Sequence, residues 1–345
     1  MDLFIGFDVS LASTAICVLS SCGKVVKEAN AASEPEALTA FLHDLAGNVE
    51  AEGLEAGPLS QWLHMHLTAA GFAVVLMETR HVKSALKAMP VKTDRRDAFG
   101  IARLLQMGWF RPVHCKSVSA QKMRAVLTTR KAILNAAIKL EQSTRGILRN
   151  FGLKMGQVTK TRFETRVRKL ANGNPMLEAA VAPILRLRVE LRDELADLER
   201  LLRDMARHDT VCRLMMTMPG VGAIVALTVR SAIDDPARFR SSKDAGPWVG
   251  LTPRRDQSEE RDISGHITRA GGEALRTALF QAATTMLRCG RRNWLGAWAL
   301  RVAARHGQKR ATTALARRIG VVLHRLWCDG TEFSLSRRDA AMATA

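Results

Sequence analysis

The stretch Leu3-Phe4-Ile5-Gly6-Phe7-Asp8-Val9 decides how the chain is read. It has the length and near-continuous apolar character of a buried strand, and close to its end stands one carboxylate. Burying that group unpaired would cost several kcal/mol, so Asp8 calls for either a strand-end position or a function that uses its charge. Outward from it, Thr14-Ala15-Ile16-Cys17-Val18-Leu19 and residues 24–29, with Val25 and Val26, are two more short runs of strand formers. Ser20, Ser21 and Gly23 separate the second run from the third, and the three read as consecutive antiparallel strands.

A helix is expected from Glu34 to Val49, with Leu38, Phe41, Leu42 and Leu45 on one face at helical spacing. There follow a short strand ending near Glu55, a helix opened by Pro58 in its first turn, a strand at 72–77, and a helix that Lys92-Thr93-Asp94 leads into and that runs through Leu105. Three strands, helix, strand, helix, strand, helix is the order of an α/β ribonuclease H-like (RuvC-like) domain. From Ser119 to Leu148 a long basic helical pattern follows. A second long helix begins near Leu177, and Ile184, Leu191, Leu195, Leu198, Leu202 and Met205 make an apolar row with coiled-coil spacing. That row suits a spacer or dimerisation element, or an ordinary helix in a bundle. The remainder reads as mainly α, with Met218-Pro219-Gly220-Val221-Gly222 as a helix-hairpin-helix-like turn whose glycines bare backbone N–H groups to a phosphate, or as a plain tight turn. The expected division is 1–115, 116–210, 211–330 and a flexible tail at 331–345.

With 345 residues, 47% hydrophobic and 25% charged, the chain can bury a sizeable core. A formal charge of +19 points to a polyanionic partner, nucleic acid before membrane. No run approaches the roughly 18 apolar residues of a membrane span, and residues 1–20 lack the basic flank of a signal peptide, so the chain is read as cytoplasmic. Cys17, Cys22, Cys115, Cys212, Cys289 and Cys328 include no CxxC pair and indicate neither a zinc site nor a disulfide framework. The charge is segregated: residues 1–60 carry 2 basic and 9 acidic side chains, residues 101–180 carry 16 basic and 3 acidic. An acidic segment in a polyanion-binding protein is reconciled if some of its carboxylates hold cations.

Two-metal phosphodiester cleavage needs carboxylates from distant segments to converge on ions about 4 Å apart. Asp8 is one candidate. Asp94 and Asp97, at i and i+3 in Lys92-Thr93-Asp94-Arg95-Arg96-Asp97-Ala98, share a face of a first helical turn, where the helix dipole also favours acids. The fourth is Glu55 or Glu78; topology favours Glu55, because in ribonuclease H-like folds the second acid follows the strand after the first helix. Such a site would take Mg²⁺ or Mn²⁺. In the second half, Trp248 to Arg269 reads as a Gly/Pro-bounded loop carrying Arg254, Arg255, Arg261 and Arg269 among hydroxyl groups, followed by a helix from about Gly272. Clustered guanidiniums beside a serine suit phosphoryl transfer, or simply a grip on the nucleic-acid backbone. Lys92, Arg95, Gly220, Gly222, Arg254, Arg255 and Arg269 are the expected nucleic-acid contacts. His266 fits a hydrogen-bonding or phosphate-contacting role better than a general base. Trp109 and Phe110 fit packing at a domain edge better than base stacking. The stretch 301–326, with seven Arg or Lys and no acid, reads as a basic amphipathic helix suited to backbone contact or to a solvated face.

Taken in order, Gly6 to Ser10, Leu54 to Leu63 (LEAGPLSQWL), Val91 to Ala98 (VKTDRRDA), Met218 to Gly222 (MPGVG), Gly250 to Arg255 (GLTPRR) and Gly265 to Arg276 (GHITRAGGEALR) resemble the DEDD-type insertion-sequence transposases. In that family a RuvC-like domain precedes a serine-containing transposase domain. The resemblance implies donor and target DNA as substrates and a serine nucleophile that becomes linked to DNA. Ser258 holds the matching position; because Glu259 follows it where the family has glycine, Ser264, followed by Gly265, remains the alternative. The resemblance further implies a structured noncoding (bridge) RNA as guide, and homodimers or homotetramers whose active sites combine domains of different subunits. A Holliday-junction-resolvase-like nuclease, needing no serine, and a non-catalytic nucleic-acid-binding scaffold are the alternatives.

Overall fold

The computed structural model describes residues 2–87, 92–258, 261–288 and 293–336, and divides the chain into two compact units, Met1–Lys116 and Ser117–Ala345. The expected site segment 91–98 is thus described from Lys92 onward, and Cys289, Glu259, residues 337–345 and the side chains of Arg261 and Ser264 lie outside the described residues.

The first unit is a five-stranded sheet clasped by helices. β1 (Asp2–Val9), β2 (Ser13–Ser20) and β3 (Val25–Ala32) form an antiparallel meander; α1 (Pro35–His43) leads to β4 (Asn48–Glu55), α2 (Ser60–Ala69) to β5 (Val74–Met77), and then come α3 (Thr79–Leu86) and α4 (Asp94–Gln106). The sheet order is β3-β2-β1-β4-β5, with β4 parallel to β1 and β5 parallel to β4. The expected sequence of strands and helices is observed apart from α3, an unanticipated helix between β5 and α4, and local differences in bounds. The helix expected to reach Val49 stops at His43, because Asn48 and Val49 pair with Asp2 and Leu3 as the start of β4. Pro58 precedes α2 instead of opening it: the Ser60 hydroxyl bonds both the N–H and the carbonyl of Gly57 and fixes a turn there. Leu3, Ile5, Phe7, Leu38, Leu42, Leu54, Leu63 and Leu67 bury one face of the sheet under α1 and α2.

The second unit is mainly helical. α5 (Val118–Asn150), α6 (Phe163–Ala171) and α7 (Pro175–His208) come first, then α8 (Thr210–Met216), α9 (Ala223–Ile233) and α10 (Ser242–Trp248). β6 (Pro253–Ser258) and β7 (Arg261–Ile267) precede α11 (Glu273–Arg288), α12 (Trp294–His306) and α13 (Gln308–Asp329). Salt bridges Arg130–Glu199 and Arg188–Glu141 fix α5 and α7 as an antiparallel hairpin. The apolar row of α7 is therefore engaged at least in part within its own chain, with Leu202 fully buried and Leu191 and Leu198 half-buried. The stretch read as a loop at 248–269 contains an antiparallel two-stranded ribbon; Ile263 and Ile267 are its only large apolar side chains, too few for a legible strand period. Residues expected to begin a loose tail pack instead, Phe333 being buried with its ring stacked on Trp294.

Candidate functional site

The acids come together through two pairs of residues in register. In the parallel β1–β4 ladder Gly6 lies opposite Gly53 and Phe7 opposite Leu54, so Asp8 and Glu55 are the next positions at the carboxyl ends of both strands. Side chains two apart share a sheet face. On that face the glycines clear the floor for α4: a Cβ on Gly6 would stand 2.1 Å from the Ala98 carbonyl oxygen and 2.4 Å from the Ala102 nitrogen, and one on Gly53 2.6 Å from Leu105 Cδ1. With α4 laid on bare backbone, its first turn arrives over the strand ends. Thr93 starts that turn as N-cap, its hydroxyl accepting from the Arg96 N–H, and places Asp94 and Asp97 there.

The electrostatics register the convergence. Burial, and then the charges of Asp97, Asp94 and Glu55, push the Asp8 carboxyl up from the ordinary range to about 6, against the opposing pull of Lys92. Glu55 is raised by burial, against the Thr79 hydroxyl and the Lys83 ammonium. Glu78 sits one strand farther out, past the end of β5, as N-cap of α3. Lys92 lies 3.9 Å from Asp97, and Arg95 is turned to an ion pair with Glu28. Beside the strand ends a cavity of about 270 Å³ is lined by Val9, Ser10, Leu11, Gly57, Pro58, Leu59 and Ser60.

The donor set, carboxylates only, suits a hard divalent cation. Among the described residues, however, no three His, Cys, Asp or Glu side chains stand close enough to cage one ion, so the acids form a loose cluster. Thr79 and Lys83 were missed in the sequence, since α3 was not anticipated. A signal for the acid pair was present: Gly6-Phe7-Asp8 and Gly53-Leu54-Glu55 are the same glycine, apolar, acid pattern on two strands.

The serine-bearing ribbon is a different kind of place. Ser258 is exposed at the end of β6, paired with Arg261, and Ser264 lies opposite Arg255. Arg255 forms a two-pronged bond to Asp262, both contacts 2.7 Å, while Arg254 and His266 are exposed. Arg269 adopts a left-handed backbone, φ 54, at the base of the ribbon, where its N–H bonds the Gly250 carbonyl. Gly220 and Gly222 part company. Gly220, φ 86, is pressed on α11, where a Cβ would meet the Ala282 carbonyl at 2.5 Å; Gly222 is exposed with open space around it at the N-cap of α9. Trp109 is exposed with an edge contact to His81, and Phe110 packs against Met77 and Leu105 and their neighbours.

Two family models match in succession. One of DEDD transposases matches residues 5–152, and one described as the transposase IS116/IS110/IS902 family matches 212–299, so the acid cluster falls in the first and the serine ribbon in the second. The chain belongs to the DEDD-type insertion-sequence transposases. Its relatives include the transposase for insertion sequence element IS1111A of Coxiella burnetii, 29% identical over 90% of this chain and 86% of that one. Another is the transposase for IS1328 of Yersinia enterocolitica, 24% identical over 80% and 83%. Among solved structures, T. thermophilus RuvC in complex with a Holliday junction substrate aligns over 33% of this chain and all of its own, at 15% identity and a TM-score of 0.26.

Proposed function

We propose that this transposase cuts and rejoins DNA strands with Asp8, Glu55, Asp94 and Asp97 holding divalent metal, Mg²⁺ or Mn²⁺, and with Ser258 as covalent nucleophile. One observation supports the metal half: carboxylates from three separate segments lie within electrostatic reach of Asp8, and burial and their repulsion push its carboxyl up to about 6. Such a group is stabilised by a cation, which when bound would polarise the scissile phosphate and aid departure of the leaving oxygen. The chain's own contribution is to orient the acids through the paired glycines and Thr93, and to supply Lys83 and Lys92 as positive charge at the rim.

In the serine step, Ser258 Oγ forms a bond to phosphorus and gives its proton to solvent. The bond from phosphorus to one bridging oxygen of the DNA breaks, and that oxygen leaves as a hydroxyl after taking up a proton. Rejoining reverses the exchange with a different strand's hydroxyl. The exposure of Ser258 supports this role, and Arg254, at the other end of β6, adds an exposed guanidinium to the same ribbon. Because acids and serine belong to separate compact units, we read the working site as composite, completed in a homodimer or homotetramer. Leu187, Val189 and Leu201, exposed on α7, are available to a second copy's helices. The excess of basic side chains at 101–180 suits nucleic acid of either kind, donor and target DNA or the noncoding guide RNA that the family resemblance implies. No helix among the described residues is long and apolar enough to cross a membrane.

The decisive test mixes two inactive proteins. Asp97→Asn alone should bind DNA but not cleave it, and Ser258→Ala alone should form no covalent protein–DNA adduct. Co-assembled, they should regain strand transfer, since each supplies what the other lacks. Adducts formed by Ser258→Ala, or cleavage retained by Asp97→Asn, would remove the corresponding half of the proposal. Sequencing the RNA that copurifies with the protein tests the guide: random fragments alone would count against it.

A further inference from the structure

The far end of the α5–α7 hairpin is a small module with its own core, Leu148, Met155, Phe163, Val167, Ala171, Leu177, Val181 and Leu185. Its connecting loop is held by guanidinium groups. Arg145 donates to the Gly156 carbonyl at 3.0 Å, Arg166 to Lys154 at 3.3 Å, and Arg188 and Arg192 to Lys160 at 2.9 and 3.3 Å. Arg145 and Arg188 also face the Phe163 ring, at 5.6 and 4.6 Å. Four arginines are thereby committed to the shape of the loop.

A second set of cations is left over. Residues 141–178 contain eight basic and three acidic side chains. Every one of the three acids is engaged: Glu141 by Arg188, Glu164 by Arg168 and Glu178 by the Gly173 N–H. Arg149, Lys154, Lys160, Arg162 and Lys169 are exposed and form no ion pair among the described residues. Repulsion among them costs stability, and a loop pinned by four arginines keeps them together nonetheless. A polyanion is the partner that turns this arrangement into a net gain.

We infer that this pinned, cationic hairpin tip is a docking site for the phosphate backbone of duplex DNA, separate from the acids and the serine. Duplex fits better than single strand, because single-strand sites stack bases on several aromatic rings and the tip exposes only Phe151 among its described aromatics. The tip also reaches outward. Lys131 of α5 pairs with Glu273 at the start of α11, and Arg149 lies 18 residues farther along the helix, roughly 27 Å at 1.5 Å per residue. That is the length of about eight base pairs, so the tip would hold DNA flanking the stretch on the helical core.

This inference rests on the family's DNA substrate but on neither the metal nor the serine. Binding measured in EDTA separates its failure from theirs. Full-length protein is titrated by fluorescence anisotropy against a labelled random-sequence DNA duplex over a range of salt, with a same-sequence RNA duplex in parallel. Lys154→Gln with Lys160→Gln and Arg162→Gln should weaken DNA binding about tenfold or more. It should also flatten the salt slope by about 2.7, at roughly 0.9 for each phosphate no longer neutralised. The matched triple Lys122→Gln, Arg124→Gln and Arg203→Gln removes the same charge from exposed positions at the other end of the hairpin and should do neither. Equal losses in both triples, no loss in the first, or a loss confined to RNA would overturn the inference.

Discussion

The acid cluster and the serine ribbon are built on opposite principles. In the first unit the acids come from three separated segments, with Asp8, Glu55 and Asp97 half-buried and Asp94 exposed, and Asp8 senses the other three carboxylates. In the ribbon Arg254, Arg255, Ser258, His266 and Arg269 are exposed, lie within a stretch of sixteen residues, and Arg255 is already neutralised by Asp262. A convergent buried site is fixed by long-range packing and fails when packing shifts. A local exposed one is fixed by its own strand pairing and tolerates surface change.

The largest expected effect breaks the first site. Asp97→Asn should lower strand cleavage by more than the roughly 10- to 100-fold typical of losing a group that merely supports a metal ligand, with DNA binding in EDTA unchanged. Next is Glu52, buried on the opposite face of β4 from Glu55, with one carboxyl oxygen lacking a hydrogen-bond partner. Burial pushes its carboxyl from 4.5 up to about 7. The folded protein therefore holds this proton more firmly than the unfolded chain, so stability falls as pH rises from about 4.5 to 7 and stays lowered above. A shift of about 2.5 is worth up to about 3 kcal/mol. Glu52→Gln should abolish that slope and raise the unfolding temperature at pH 8; a parallel pH profile for variant and parent would refute the assignment.

Two glycines sharpen the comparison further. Gly6→Ala forces a Cβ into α4's backbone and should cost about 1–3 kcal/mol in chemical denaturation while displacing Asp94 and Asp97. Gly265→Ala in the ribbon meets nothing nearer than 3.7 Å and should stay within about 0.5 kcal/mol of the parent. The smallest effect is Arg255→Gln: the pair with Asp262 is exposed, so thermal unfolding should be unchanged even where DNA strand transfer suffers. A large drop in unfolding temperature would show that the ribbon is integrated into the core after all.

Several features were legible because they are local. Apolar runs marked β1 and β2, the 3.6-residue period marked α4, α5 and α7, and Asp94 and Asp97 shared a face by spacing alone. The ribbon was not, since its strands bury no alternating apolar face. The partner of the α7 row was not either, because spacing specifies an apolar stripe and says nothing of which helix covers it.

By itself, then, the sequence determined the order of strands and helices in the first unit apart from α3, the separation of an acidic beginning from a basic middle, and the shared helix face of Asp94 and Asp97. Only the tertiary structure decided that Glu55, and not Glu78, stands beside Asp8. That choice depends on β4 pairing directly with β1 while β5 lies one strand beyond, and on Gly6 and Gly53 falling in register to admit α4. Parallel pairing joins residues nearly fifty positions apart, and no local period in the chain encodes which strands become neighbours.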